Sequence, residues 1–280
     1  VCKLSFNELL DRFELITRIE YKYQSKVITF YRNENNNQGM INDNTDKNFQ
    51  IALDNITPYE PVILIINSRG GWVYSGWRIA SSINRRTGQT CVVVPEEALS
   101  AATMITFSAK KCIMFPNAQL SPIEPQLKHG DQYVSALDLL IHEDPVKRAD
   151  AERQIKLTEE NLRKLCESKL SGEKLDRLVN RFLLRDQAHA AHSSSIYAEE
   201  VKRLWGEIQI QEDDDIKALH MLYKRHSFTD KDPSILIEYT RNPIPKDVRT
   251  ILEKVASNEM SIDEAERLLR LPLDSSRFET

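Results

Sequence analysis

The amino-acid sequence predicts an α/β fold of stacked βαβ units on a parallel sheet, followed by a C-terminal helical extension. Three apolar runs predict the sheet. Residues 62–66 read Val-Ile-Leu-Ile-Ile, the continuous pattern of a strand buried on both faces. Residues 90–95 and 111–115 are two further runs of that kind. Between them lie an amphipathic segment at 74–86, with Trp77, Ala80 and Ile83 inward, and a short apolar helix at 101–109. Strand, helix, strand, helix, strand with short links is the order that parallel units require.

The flanking elements follow in turn. Residues 6–19 place Leu9, Leu10, Phe13 and Ile16 at helical spacing, and 27–31 form a strand. The Asn- and Asp-rich stretch 33–48 reads as a surface loop, and 49–55 as the end of a helix. From 144 to 185 the chain is charged and helical, with Ile155, Leu162, Leu165 and Leu170 recurring near the helical period. The acidic run 212–215 marks a boundary or a helix start. A short helix and a strand at 235–239 come next, then a break at Pro243 and Pro245 and two closing helices. The second of these opens on Ser261-Ile-Asp-Glu264, a capping box that satisfies free N–H groups. The expected division is therefore 1–211 for the main domain and 212–280 for the extension.

Composition narrows the function. With 280 residues, 41% hydrophobic and 29% charged, the chain can bury one large core. A net charge of −4 gives no concentrated basic surface for nucleic acid. Cys2, Cys91, Cys112 and Cys166 are scattered, which argues against a zinc site or a disulfide framework. No cofactor motif is present. No apolar stretch approaches the roughly 20 residues that span a bilayer. The N-terminal segment reads as an amphipathic helix rather than a signal peptide, and a cytoplasmic setting is the expectation.

Two loops carry the chemistry, each leaving a buried strand at its carboxyl end, where open α/β sheets bind ligands. Gly70-Gly71 is either a tight strand-to-helix turn or a place where backbone N–H groups face a ligand. Ser100 opens the apolar helix at 101–109 and has two readings. One is an N-cap. The other is a nucleophile whose neighbouring amides stabilise a tetrahedral oxyanion. Gly70, Gly71 and Ala101 would then be the donors around one carbonyl oxygen, which is the arrangement acyl transfer needs.

At these residues the chain resembles the serine dehydrogenase proteinase family, relatives of signal peptide peptidase A with a Clp/crotonase-type fold. The resemblance rests on the diglycine turn, Val94-Pro95, the serine motif Ala98 to Thr103, and the stretch from Pro116 to Gln126. Asn67-Ser-Arg-Gly-Gly71 is similar to the Asn-Ser-Pro-Gly-Gly of Clp protease, and a weaker match runs from His192 to Lys202. The resemblance implies a serine peptidase with Ser100 as nucleophile, a peptide or protein substrate and a homo-oligomer. Three positions depart from the family pattern: Ala102 and Ser121 stand where relatives have glycine, and Arg69 where they have proline. Relatives supply a lysine base from a downstream helix, a role that needs a pKa lowered by burial. Here that position falls near Arg153 or Gln154, with Lys156 the nearest lysine. Ile123 occupies the position of the Clp-type histidine, and His192 is the alternative base. His129, His142, His189, His220 and His226 sit in no motif and read as structural or exposed. The alternatives to a peptidase are a catalytically weakened scaffold or peptide-binding module, and an acyl-thioester enzyme of the crotonase type.

Overall fold

A computed structural model describes residues 6–34, 39–184, 194–206, 208–226 and 232–240, with isolated positions at 254, 259–261 and 264. The first half runs α1 (Phe6–Tyr23), β1 (Lys26–Arg32), α2 (Asp43–Asp54), β2 (Val62–Asn67), α3 (Val73–Asn84), β3 (Thr90–Val94), β4 (Glu97–Ala98), α4 (Ala101–Ser108), β5 (Lys111–Met114) and β6 (Gln119–Leu120). Then come β7 (Gln126–His129), β8 (Gln132–Ser135), α5 (Ala136–Leu139), α6 (Pro145–Cys166) and α7 (Gly172–Phe182). The described chain closes with β9 (Ile196–Tyr197), α8 (Ala198–Leu204), β10 (Gln209–Ile210), α9 (Asp214–Arg225) and β11 (Ile235–Tyr239).

The main sheet has the order β10-β5-β3-β2-β1-β11. Every pair in it is parallel except β1 with β11. All six residues of β2 are buried, as its unbroken apolar run requires of a central strand. α9 and β11, which lie beyond position 211, belong to this same sheet and core. The expected closing helices lie almost wholly outside the described residues, although the Glu264 amide does donate to the Ser261 hydroxyl at 3.2 Å.

One expectation is corrected. Residues 33–48 are not all loop, because α2 begins at Asp43. Asn42 accepts from the Thr45 amide while the Thr45 hydroxyl accepts from the Asn42 amide. That reciprocal pair satisfies two free N–H groups, and Asp43 and Asp46 in the first turn suit the positive end of the helix. The Asn and Asp that looked like loop chemistry are helix-start chemistry.

Behind α4, Phe107 meets the rings of Phe182 at 4.8 Å and Trp205 at 5.2 Å. Lys169 reaches the carbonyls of Phe107 (2.5 Å) and Ala109 (3.0 Å) and closes the C-terminal end of α4. Burial pulls the pKa of its ammonium below the usual lysine range. At the opposite edge Arg12 makes a two-pronged pair with Glu238 (3.0 and 2.9 Å), and the Tyr223 hydroxyl donates to the same carboxylate at 2.5 Å. This buried knot joins α1, α9 and β11. No helix among the described residues is long and apolar enough to cross a membrane.

Candidate active site

The loops that follow β2 and β3 are stitched together. The Ser68 amide donates to the Glu97 carbonyl at 3.0 Å, and the Leu99 amide to the Ser68 carbonyl at 2.8 Å. The Asn67 side-chain oxygen accepts the Glu97 amide at 3.2 Å. These bonds carry the diglycine turn to the start of α4. Gly70 has φ +91° and Gly71 φ +152°. A methyl group at Gly70 would lie 2.5 Å from the Leu99 carbonyl oxygen, 2.8 Å from Ser100 Cβ and 2.9 Å from the Ala101 nitrogen. At Gly71 it would strike the backbone of Ile41, which is bonded to Gly70 and Trp72 on either side. Only glycine fits either place.

Gly76, which the sequence reading passed over, brings the helices together. A Cβ there would sit 2.8 Å from Ala101 Cβ, so the first turns of α3 and α4 touch. Two positive helix ends therefore converge beside the serine. The signal was available: Gly76 falls on the buried stripe of α3 with Ile79, Ala80 and Ile83.

Ser100 does not cap α4 through its side chain. Its backbone has φ +52° and ψ −118°, a strained conformation for a residue with a Cβ, and its hydroxyl makes no capping bond. The side chain is partly exposed. The Ser100 amide is held from behind by the Ser121 hydroxyl at 2.8 Å. Of the three expected donors, the Gly70 amide turns inward to the Ser68 hydroxyl at 3.2 Å. Among the described residues the Gly71 and Ala101 amides have no protein acceptor. Ala102 is wholly buried and belongs to the core. Arg69 is 62% exposed and pairs with Glu97 at 3.1 Å, which leaves a cation at the rim. Trp72, Tyr74 and Met40 are exposed on neighbouring segments.

Lys156 lies on the exposed face of α6, whose buried face is Ile155, Thr158, Asn161, Leu162, Leu165 and Cys166. His192 and His189 lie outside the described residues. Ile123 is buried and its amide donates to the Phe182 carbonyl at 2.8 Å. His220 packs between Tyr31 (3.2 Å) and Glu96 (3.6 Å), with its pKa lowered by burial. His226 is buried beside Arg12. His129 and His142 meet edge to face at 5.1 Å, with Lys147 at 3.2 Å from the first. No group of His, Cys, Asp and Glu among the described residues could hold a metal ion. A hollow of about 480 Å³ lined by Tyr23, Cys91, Lys111 and Ile113 lies at the amino ends of β3 and β5, the opposite end of the sheet from Ser100.

A family model described as ClpP-like SDH-type serine proteinase matches residues 3–250. Two uncharacterized proteins of Methanocaldococcus jannaschii are each 27% identical to the chain. The first match covers 59% of this chain and 59% of that relative, and the second 45% and 46%. The chain thus spans roughly half the length of the curated relatives it matches. Among solved structures, ClpP1 from Listeria monocytogenes has a TM-score of 0.46 at 18% identity, covering 73% of this chain and 98% of that one. A mutant of the 1510-N membrane-bound stomatin-specific protease also has a TM-score of 0.46, at 14% identity, covering 64% and 79%. On the strength of the family match, which takes in the diglycine turn, the serine elbow and the sheet that positions them, the chain belongs to the ClpP-like SDH-type serine proteinases.

Proposed function

We propose that the chain hydrolyses peptide bonds with Ser100 as nucleophile and the Gly71 and Ala101 amides as oxyanion donors. The observation that carries this reading is the Ser100 turn. A strained residue whose hydroxyl makes no capping bond is packed against a turn that only glycine can make. The hydroxyl oxygen attacks the carbonyl carbon while its proton passes to a base. The two amides bind the oxyanion, the C–N bond breaks, and the leaving amine takes the proton back. Water then repeats the sequence on the acyl-enzyme and restores the hydroxyl.

The base is proposed to come from the segment that leads into β9. His192 precedes Ser194 by two residues, and β9 pairs with β6, placing Ile196 opposite Leu120 next to Ser121. Lys156, with its exposed side chain, is the alternative. Labelling by a fluorophosphonate probe tests the reading: wild-type protein is modified at Ser100, and Ser100→Ala is not. A folded wild-type protein that neither reacts nor cleaves casein or short peptides would refute it.

A second reading, a scaffold or peptide-binding module, is favoured by the exposure of Lys156, and it predicts function that survives Ser100→Ala. Thioester turnover is not expected on either reading. Self-association is proposed from the exposed apolar side chains of Tyr133, Ile141 and Val146 around the small β7–β8 module. Light scattering showing a monomer at micromolar concentration would exclude it. A reducing, cytoplasmic setting suits the free thiols of Cys91, Cys112 and Cys166; cell fractionation tests it.

A further inference from the structure

We propose that Ser121 is a positioning residue for the reaction, its hydroxyl pinning the Ser100 amide so that the nucleophile keeps its positive-φ turn. The proposal rests on the reading of Ser100 as the nucleophile. The Ser121 hydroxyl accepts the Ser100 amide at 2.8 Å and donates to the Pro122 carbonyl at 3.1 Å, so both its donor and an acceptor site are used. It is 2% exposed, and water is not at hand to replace it.

Its own place is fixed by Thr103, one turn into α4. The Thr103 hydroxyl accepts the Ser121 amide at 3.2 Å and reaches the carbonyls of Ala98 (2.6 Å) and Ser121 (3.0 Å). Three segments are knotted there: the end of β4, the serine elbow and the chain leaving β6. The elbow's backbone strain is held by this knot and by the Gly70 contact.

The pinning also selects the oxyanion donor. Successive amides at Ser100 and Ala101 cannot both serve the site while the first is bonded to Ser121, so the second is the one left for substrate. Without the hydroxyl, the part-buried Ser100 N–H loses its acceptor, and the turn gains a reason to flip toward an ordinary helical start. The Ser121 hydroxyl is thus used by this chain to hold its elbow.

The test compares Ser121→Ala and Ser121→Gly with Ser121→Thr, which keeps the hydroxyl. Fluorophosphonate labelling of Ser100 is resolved into its saturating rate and its half-saturating concentration, and amide exchange at Ser100 is measured alongside. Loss of the hydroxyl is expected to lower the saturating rate by about tenfold, the factor that about 1.4 kcal/mol represents. The half-saturating concentration stays unchanged and Ser100 amide exchange quickens, while Ser121→Thr recovers the rate. A merely structural residue would alter the folded fraction but not the rate per folded molecule. Wild-type labelling that Ser121→Ala and Ser121→Gly leave unchanged overturns this inference alone. A folded wild-type protein that no probe labels overturns the nucleophile reading and the positioning role together.

Discussion

Gly70→Ala is the substitution in which fold and site are tested by the same methyl group. The added carbon would meet the Leu99 carbonyl oxygen at 2.5 Å, Ser100 Cβ at 2.8 Å and the Ala101 nitrogen at 2.9 Å. Two of these three are backbone atoms, which cannot swing aside as the tip of a side chain can. Holding a residue with a Cβ at φ +91° costs about 1–3 kcal/mol, and overpacking adds about 1–3 kcal/mol. A loss of roughly 2–6 kcal/mol is expected, a large share of a domain's usual 5–15 kcal/mol. Whatever relief the chain finds must push the serine elbow away from the turn. A displacement of about 1 Å at a reacting atom costs on the order of 10²-fold in rate. Urea unfolding gives the first number, and fluorophosphonate labelling, corrected for the folded fraction, gives the second. A Gly70→Ala protein within 0.5 kcal/mol of wild type that labels at the wild-type rate would refute the claim that these two loops touch.

Acid stability should depend on His220, whose folded pKa is depressed below 6.5 chiefly by burial; Glu96 and Glu34 oppose the shift and Lys224 adds to it. Above 6.5 its contribution to stability is fully present. As pH falls through that value the unfolded imidazole takes up a proton that the folded one resists, so stability declines. His220→Gln should flatten this acid limb in urea titrations made at a series of pH values. Lys169→Met strips the Phe107 and Ala109 carbonyls of the Lys169 donor and should lower the free energy of unfolding in urea by about 1–3 kcal/mol, with labelling of the folded protein still measurable. Lys156→Met should leave the labelling rate within about twofold, whereas His192→Gln should lower it by a factor of about 10² to 10⁴, the range that general-base catalysis supplies. The opposite ranking would restore a Ser-Lys pair.

The centre of the parallel sheet was legible because β2 is apolar from Val62 to Ile66 and β3 and β5 carry shorter apolar runs, the pattern of strands covered on both faces. Ser100 was legible as a residue of two meanings. The bond that separates them, a side-chain cap that is not made, depends on a backbone angle no local pattern encodes. Ser121 stood out only as a departure from its relatives. Its role needs β6 to lie beside β4, a pairing of two-residue strands too short to leave a periodic trace. The same holds for β9 and β10. The Arg12–Glu238 pair joins residues 226 positions apart, and neither neighbourhood signals the other. In α2 the Asn and Asp residues serve turns and helix starts alike, so the distinction came from Thr45 reaching back to Asn42.

The most direct test is a crystal structure of the protein carrying a phosphonate adduct, a tetrahedral stand-in for the acyl-transfer intermediate. The account predicts phosphorus bonded to the Ser100 hydroxyl oxygen, with one phosphoryl oxygen about 3 Å from the nitrogens of both Gly71 and Ala101. An adduct on any other residue, or a phosphoryl oxygen turned away from that pair toward solvent, would contradict it.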